Sequence, residues 1–429
     1  MRWLLCACLS VWLPAAAAQE SDSFDVSQFE KKPFEFNGYA ELRAEQFTFD
    51  RDAALYQLNY FDQPPRDGFN AGTGSLQLEG LYSHGIATAH VLAHGFYVHD
   101  DTGNDHDTRF YEASVSVHPN EYATFDIGKK TLSWGKGYAW NPVGFVQRLK
   151  DPNDPDLSRE GFVIAGGNFV RSLDGTLKTL AFTPLLVPTT SGLNGDFGAA
   201  DHLNPAAKVY FLYADTDIDF MMLGEGAKSA RYGFDFARNF GTNLEIHGEW
   251  AHAASATRPV VDPAGNVAPT DAPATSYLLG LRYLSESQLT TIFEYYYNGA
   301  GYSEDEMRNF ASAVHSAYDQ YQTTGDAVPL AKLRTALQPS MARPNPGRRY
   351  LYLRLSQQEP FDILYFTPAL TTIANADDRS YSIAPELLYT GVTNLELRFR
   401  VFWLHGPSLS DFGEKQNDRR LELRARYYF

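Results

Sequence analysis

The chain has 429 residues, a net charge of −16 at pH 7, and only two cysteines, Cys6 and Cys8. So acidic a chain excludes nucleic acid and other polyanions as principal partners. Beyond residue 8 there can be no disulfide, thiolate metal site or thiol nucleophile.

The N-terminus reads as a secretory signal. Arg2 supplies the positive charge, Trp3 to Trp12 the apolar run and Ala15 to Ala18 the cleavage site, so 1–18 is expected to leave and the net charge to become one more negative. That run is too short to span a bilayer, and no later stretch is long enough. If the chain crosses a membrane, it does so with strands. Residues 19–33 form a short polar leader.

From Phe34 onward, two-faced strands recur with period two. They are expected near 34–48, 75–83, 86–98, 108–118, 121–132, 160–172, 176–187, 206–214, 217–224, 229–238, 243–253, 276–285, 288–298, 348–357, 361–371, 379–389, 393–404 and from 419 to the end. Every second connection is tight, as at Ser83-His84-Gly85 and Thr390-Gly391-Val392. Most of the others are longer: a long loop up to 159, a Pro/Ala-rich loop at 254–275 and the longest at 299–347, with a short Asp-rich loop at 100–107. Such sorting predicts a transmembrane antiparallel β-barrel over 34–429, with long loops outside and both termini in the periplasm. The count is about 18 strands, or 16 should the weak strands 8 and 9 not form. Within the longest loop, Ser303 and Glu306 make a capping box. Met307, Phe310, Ala311, Val314, Tyr318 and Tyr321 then follow at helical spacing. Residues 303–338 are therefore expected to be a helical extracellular loop, packed either as a lid over the lumen or outside the rim.

The final strand shows both faces most clearly. Leu421, Leu423, Ala425, Tyr427 and Phe429 alternate with Arg420, Glu422, Arg424, Arg426 and Tyr428. The terminal Phe429, with Tyr427 two residues earlier, resembles the closing strand of Gram-negative outer-membrane barrels. That resemblance implies that Tyr427 and Phe429 act as an assembly signal for the barrel-assembly machinery, and that lipid and lipopolysaccharide surround the barrel.

On the inward face, Arg354, Arg398, Arg400, Arg420, Arg424 and Arg426 form a basic wall. Asp235, Glu245, Glu249 and Glu294 form an acidic one, and strand 1 adds Glu41 and Glu45. Opposed walls give a transverse field, similar to that at the constriction of general porins. Guanidinium groups suit carboxylates or phosphates. The segment Leu132 to Pro142, with its Trp-Gly and Asn-Pro pairs, reads as girdle and turn chemistry or as a sugar-stacking site. It resembles a stretch in proteobacterial porin and polysaccharide-export families. The barrel and its basic wall together lead to the expectation of a channel for passive diffusion of small anionic solutes. Two alternatives are an export conduit for an anionic polysaccharide, similar to the alginate exporter, and a closed-lumen barrel acting as scaffold or enzyme. No His-Glu-x-x-His helix, Gly-x-Ser-x-Gly elbow or phosphate loop is present. No catalytic residue, metal or cofactor is therefore expected.

Overall fold

A computed structural model describes residues 33–101, 103–155 and 157–429. The expected signal and all but Pro33 of the leader lie outside the described residues. The strands are β1 Phe34–Phe49, β2 Gly68–His84, β3 Ala87–Asp100, β4 Gly103–Asn120, β5 Ala123–Lys130, β6 Phe162–Ser172, β7 Leu177–Thr189, β8 His202–Tyr213 and β9 Thr216–Leu223. The second half holds β10 Arg231–Phe240, β11 Leu244–Val261, β12 Val267–Leu284, β13 Leu289–Tyr297, β14 Arg349–Gln357, β15 Phe366–Asn375, β16 Tyr381–Val392, β17 Leu395–His405 and β18 Asn417–Tyr428. Each strand pairs antiparallel with its neighbours in sequence, and β1 pairs with β18, which closes an 18-stranded barrel. Closure leaves no free edge, the condition for strands to span a bilayer.

The two faces are inverted relative to a soluble protein. Leu42, Ile127 and Leu423 are 71%, 64% and 57% exposed, whereas Glu41, Arg424 and Glu422 are 8%, 3% and 2% exposed. Apolar groups face outward, where lipid stabilises them, and charges face a lumen. The closing register follows this alternation: Leu42 lies opposite Ala425 and Arg43 opposite Arg424. Phe429 continues the pairing, exchanging backbone hydrogen bonds of 3.0 and 3.1 Å with Gly38.

Several boundaries depart from the sequence expectation, β2 for example starting at Gly68 and not near 75; three are informative. The Asp-rich segment 100–107 is not a loop, because β4 begins at Gly103 and pairs His99 with Asn104. Among the described residues no cluster of His, Cys, Asp and Glu could hold a metal. The Pro/Ala-rich segment is also strand: β11 and β12 run on to a turn at 262–266. Pro259 faces Pro269 across that ladder, which fits a non-hydrogen-bonded pair whose missing N–H groups cost nothing. Third, β15 starts later than expected. Residues 358–365 form a kinked connection with positive φ at Glu359, Phe361, Asp362 and Tyr365.

A helical cap sits on the long-loop rim. It comprises α1 (Ala54–Tyr60), α2 (Glu304–Thr324) and α3 (Val328–Met341). The capping box forms as expected: Ser303 Oγ accepts from Glu306 N at 3.3 Å, and Glu306 Oε2 accepts from Ser303 N at 2.8 Å. Gly325, at φ 74, ends α2 in the left-handed conformation glycine favours. The short α1 has no local cap; Glu414, from the connection between β17 and β18, accepts its Ala54 N–H at 2.6 Å. Leu55, Leu58, Phe310, Val314, Leu330 and Leu337 bury against Val260, Val261 and Val267 of the extended β11–β12 hairpin. Each such side chain contributes about 2 kcal/mol. In a ring of 18 strands, α1 follows β1 while β11 and β12 stand on the opposite arc, so this core bridges the mouth. The lid position is therefore the one observed.

A His–Glu latch ties the cap down. His315 of α2 places Nε2 3.2 Å from Glu414 Oε2, and its Nδ1 lies 2.8 Å from Gln57 Oε1. The hydrogen bond to Glu414 raises His315 above its ordinary 6.5, with burial opposing and Asp319 and Asp52 assisting. Glu414 is disfavoured by burial, yet His315 and the amides of Leu409 and Ala54 bring it below its ordinary 4.5. The raised His315 stabilises the cap fully below 6.5 and loses that contribution as pH rises through its folded value. The lowered Glu414 stabilises it above 4.5 and loses that contribution as pH falls through its depressed value. Hydrogen-exchange protection of α2 should thus be greatest between about pH 4.5 and 6.5 and decline as pH rises further, and His315→Gln should flatten the alkaline decline. Equal profiles for the two proteins would remove the latch.

Candidate functional site: a loop seated in the lumen

The connection from β5 to β6, residues 131–161, turns into the barrel instead of standing on the rim. Trp134, Ala139, Val143 and Phe145 are buried. One side packs on inward apolar residues of β6, β7 and β9, including Ile164, Leu185, Val187 and Met221. The other side packs Trp140 on Tyr296, at 5.1 Å between ring centroids, and on Tyr350 and Tyr352. The expectation that 132–142 is girdle and turn at a strand end is corrected: it is lumen filling.

The acidic wall holds this loop through its backbone. Glu249 Oε1 accepts from the amides of Lys136 and Gly137, both at 2.7 Å, and from Asn141 Nδ2 at 2.9 Å. Its Oε2 accepts from Val143 N at 3.2 Å. Glu294 accepts from Tyr138 N at 2.5 Å and Ala139 N at 2.9 Å. The Tyr138 hydroxyl reaches Glu245 at 3.4 Å. Lys136 Nζ lies 2.9 Å from Asp219 and 3.9 Å from Asp235. His247 sits between Glu245 and Glu294, at 3.3 and 3.0 Å. It reaches Glu294 across β12 because Gly280 intervenes; a Cβ there would lie 2.3 Å from His247 Nε2. At Gly135, φ is +99 and a Cβ would meet Glu249 Oε1 at 2.6 Å. Glycine is thus required where the loop lies on the carboxylate.

The basic wall holds the far end of the same loop. Asp154 is 3.1 Å from Arg424, 3.2 Å from Arg400 and 3.8 Å from Arg398. Burial opposes ionisation of Asp154, but Arg400, Arg424 and Arg398 hold its carboxyl at about 2. The remaining contacts pair the arginines locally. Arg354 meets Thr371 at 2.8 Å and Glu386 at 3.1 Å. Arg398 meets Glu396 at 3.0 Å, and Arg400 is hydrogen-bonded to Glu386. Arg420 lies 3.5 Å from Glu45 and 3.6 Å from Glu422, and Arg426 2.6 Å from Glu41. This wall is close to charge balance.

All ten charged wall residues named from sequence outside strand 1 lie inward, and so do Glu41 and Glu45. The last two lie beside the arginines, because β1 pairs with β18, and not across from them. Between the walls stands the loop, so the field acts first on 131–161. Tyr427 and Phe429 are outside, 51% and 47% exposed. Sequence reasoning missed Glu386, Asp219 and His247 and the role of Asp154. For His247 a signal existed: Glu245, His247 and Glu249 alternate on one face.

No family model matches the chain, and no curated protein matches it in sequence. Solved structures do resemble it. A BenF-like porin from Pseudomonas fluorescens Pf-5 is 10% identical with a TM-score of 0.52, over 92% of this chain and 98% of its own. Pseudomonas aeruginosa OccK5 (OpdH) is 10% identical, TM-score 0.51, over 92% and 98%. OccK2 (OpdF) of the same organism, solved with glucuronate, is 12% identical, TM-score 0.50, over 92% and 98%. At such identities the likeness is one of fold: a closed antiparallel barrel like that of these porins.

Proposed function

We propose that the protein is a Gram-negative outer-membrane channel for passive diffusion of small anionic solutes. It is not an enzyme. The observation that carries the reading is the loop 131–161, fixed across the lumen of a closed barrel by carboxylates on one side and arginines on the other. Such a partition narrows the lumen of a barrel whose wall is closed by the β1–β18 pairing. The neighbours of like fold are porins, one solved with the anion glucuronate, which supports the same class. The long loops and the cap face outward, both termini face the periplasm, and the barrel-assembly machinery reads Tyr427 and Phe429. A tag inserted near Gly325 should be labelled on intact cells.

The test of function is a planar-bilayer recording of the purified barrel, which should show single-channel steps with anion preference. Replacing Arg398, Arg400 and Arg424 together by Gln separates two roles. A shift of reversal potential toward cations at unchanged conductance would make them selectivity groups. A rise in conductance would make them braces for Asp154. A second reading has its own observation: Trp140, Tyr350 and Tyr352 are buried together inside the lumen, which favours a closed resting state. Absence of any current from correctly folded barrel would select it.

A further inference from the structure

Between the inward loop and the cap lies a cavity of about 580 Å³. Trp140 to Pro152 form its floor, β10 to β13 its wall, and Tyr302 with the chain after α3 its roof. Six cations line it: Arg148, Lys150, Lys228, Arg231, Arg258 and Arg343. Among the described residues that line it there is no Asp or Glu. In a chain with 52 acidic against 36 basic residues, that is the reverse of what composition would give.

The contrast with the arginine wall is informative. There carboxylates match the guanidinium groups; here, among the described residues, two of the positive charges meet none. Arg148 is bound to Asp196 and lies 3.4 Å from Glu160, Arg258 is 2.9 Å from Glu306, and Lys150 donates to the Gly137 carbonyl at 2.6 Å. Lys228 and Arg231 meet no carboxylate among the described residues. Lys228 Nζ instead sits 3.9 Å above the Phe197 ring. Arg231 Nε and Arg258 Nη1 are buried without an acceptor among the described residues. Burial, together with Arg231 and Arg148, lowers the Lys228 ammonium to about 8. Half-buried cations crowded together repel one another, and buried donors without acceptors are costly. An external anion would remove both penalties.

We propose that this chamber is a binding site for a small, multiply charged anion, with Lys228 and Arg231 as its main contacts. The inference deepens the channel reading, since the chamber lies on the outer side of the partition. The chemistry required is at least two negative charges on one compact solute, and phosphates and dicarboxylates both supply it. Lys228 offers a point charge and Arg231 a planar fork.

The experiment uses the full barrel in detergent micelles, with the fluorescence of Trp140 and the other tryptophans as the signal. Inorganic pyrophosphate and succinate are titrated separately at fixed ionic strength, with chloride as the singly charged control. Saturable binding of at least one of these multiply charged anions is expected, and the stronger one identifies the favoured source. Lys228→Met or Arg231→Met should weaken it by about tenfold or more, the loss of one charge-assisted hydrogen bond. Lys228→Arg should retain most of it. Heat-modifiable migration establishes that each variant is folded. Binding that is absent, or equal in all variants, overturns the proposal. So does binding that survives Lys228→Met but is lost on Arg398→Gln, which would place the anion on the basic wall. A barrel that binds as expected yet carries no current would keep the chamber and lose the channel.

Discussion

Glu249→Ala should raise single-channel conductance and make it noisy, while the barrel still assembles. Glu249 accepts four hydrogen bonds from the loop, and Glu294 two more. A bond to a charged acceptor contributes about 1.5–3 kcal/mol, and burying the carboxylate costs several kcal/mol in return. Removing the carboxylate leaves buried N–H groups without partners at about 1–3 kcal/mol each. The seat should therefore be destabilised by at least about 3 kcal/mol, enough to populate a detached loop. Barrel pairing lies in the 18 ladders and does not depend on this contact, so assembly should be spared. Glu249→Gln, which keeps two acceptor lone pairs on one oxygen, should act more mildly. Conductance at the parental level in Glu249→Ala would mean that apolar packing of Trp134, Val143 and Phe145 alone holds the loop.

Phe429→Asp should sharply reduce the yield of heat-modifiable barrel in the outer-membrane fraction. Phe429 extends the β1–β18 closure by its two backbone bonds with Gly38, and its ring lies 6.2 Å from that of Phe36. A Cβ at Gly38 would lie 2.3 Å from the Gln77 carbonyl and 3.1 Å from the Phe429 ring, so the strands meet there without slack. Replacing the ring by a carboxylate forfeits about 1.5–3 kcal/mol of apolar burial at the seam that must close last. Phe429→Leu should preserve most of the yield. Normal assembly of the Asp variant would falsify the role of the terminal aromatic.

The barrel was legible because its code is local. Alternation such as Leu421 to Phe429 fixes which face meets lipid, and that face fixes register. Helix α2 was legible for the same reason, since Ser303, Glu306 and Gly325 carry its start and stop. The short α1 was not, because its cap is Glu414, some 360 residues away in the chain. The prolines at 259 and 269 read as loop, although two prolines facing each other can sit in a ladder. The site was half legible. Period two placed Glu249, Glu294 and the arginines inward, but nothing local says that a loop more than 100 residues earlier would lie on them. A long connection carrying Trp134, Trp140, Val143, Phe145 and Val146 within 13 positions was the available sign, since such residues are mostly buried.

Two partitions in series with a chamber between them resemble an airlock more than a pipe. A space of about 580 Å³ falls within the range that encloses a single small ligand. Passage through it would be one molecule at a time, each waiting for its predecessor to leave. Flux would then level off as external concentration rises, where a wide pore keeps a straight line. At scarcity such a device captures solute that an open hole would lose, and in plenty it limits what enters.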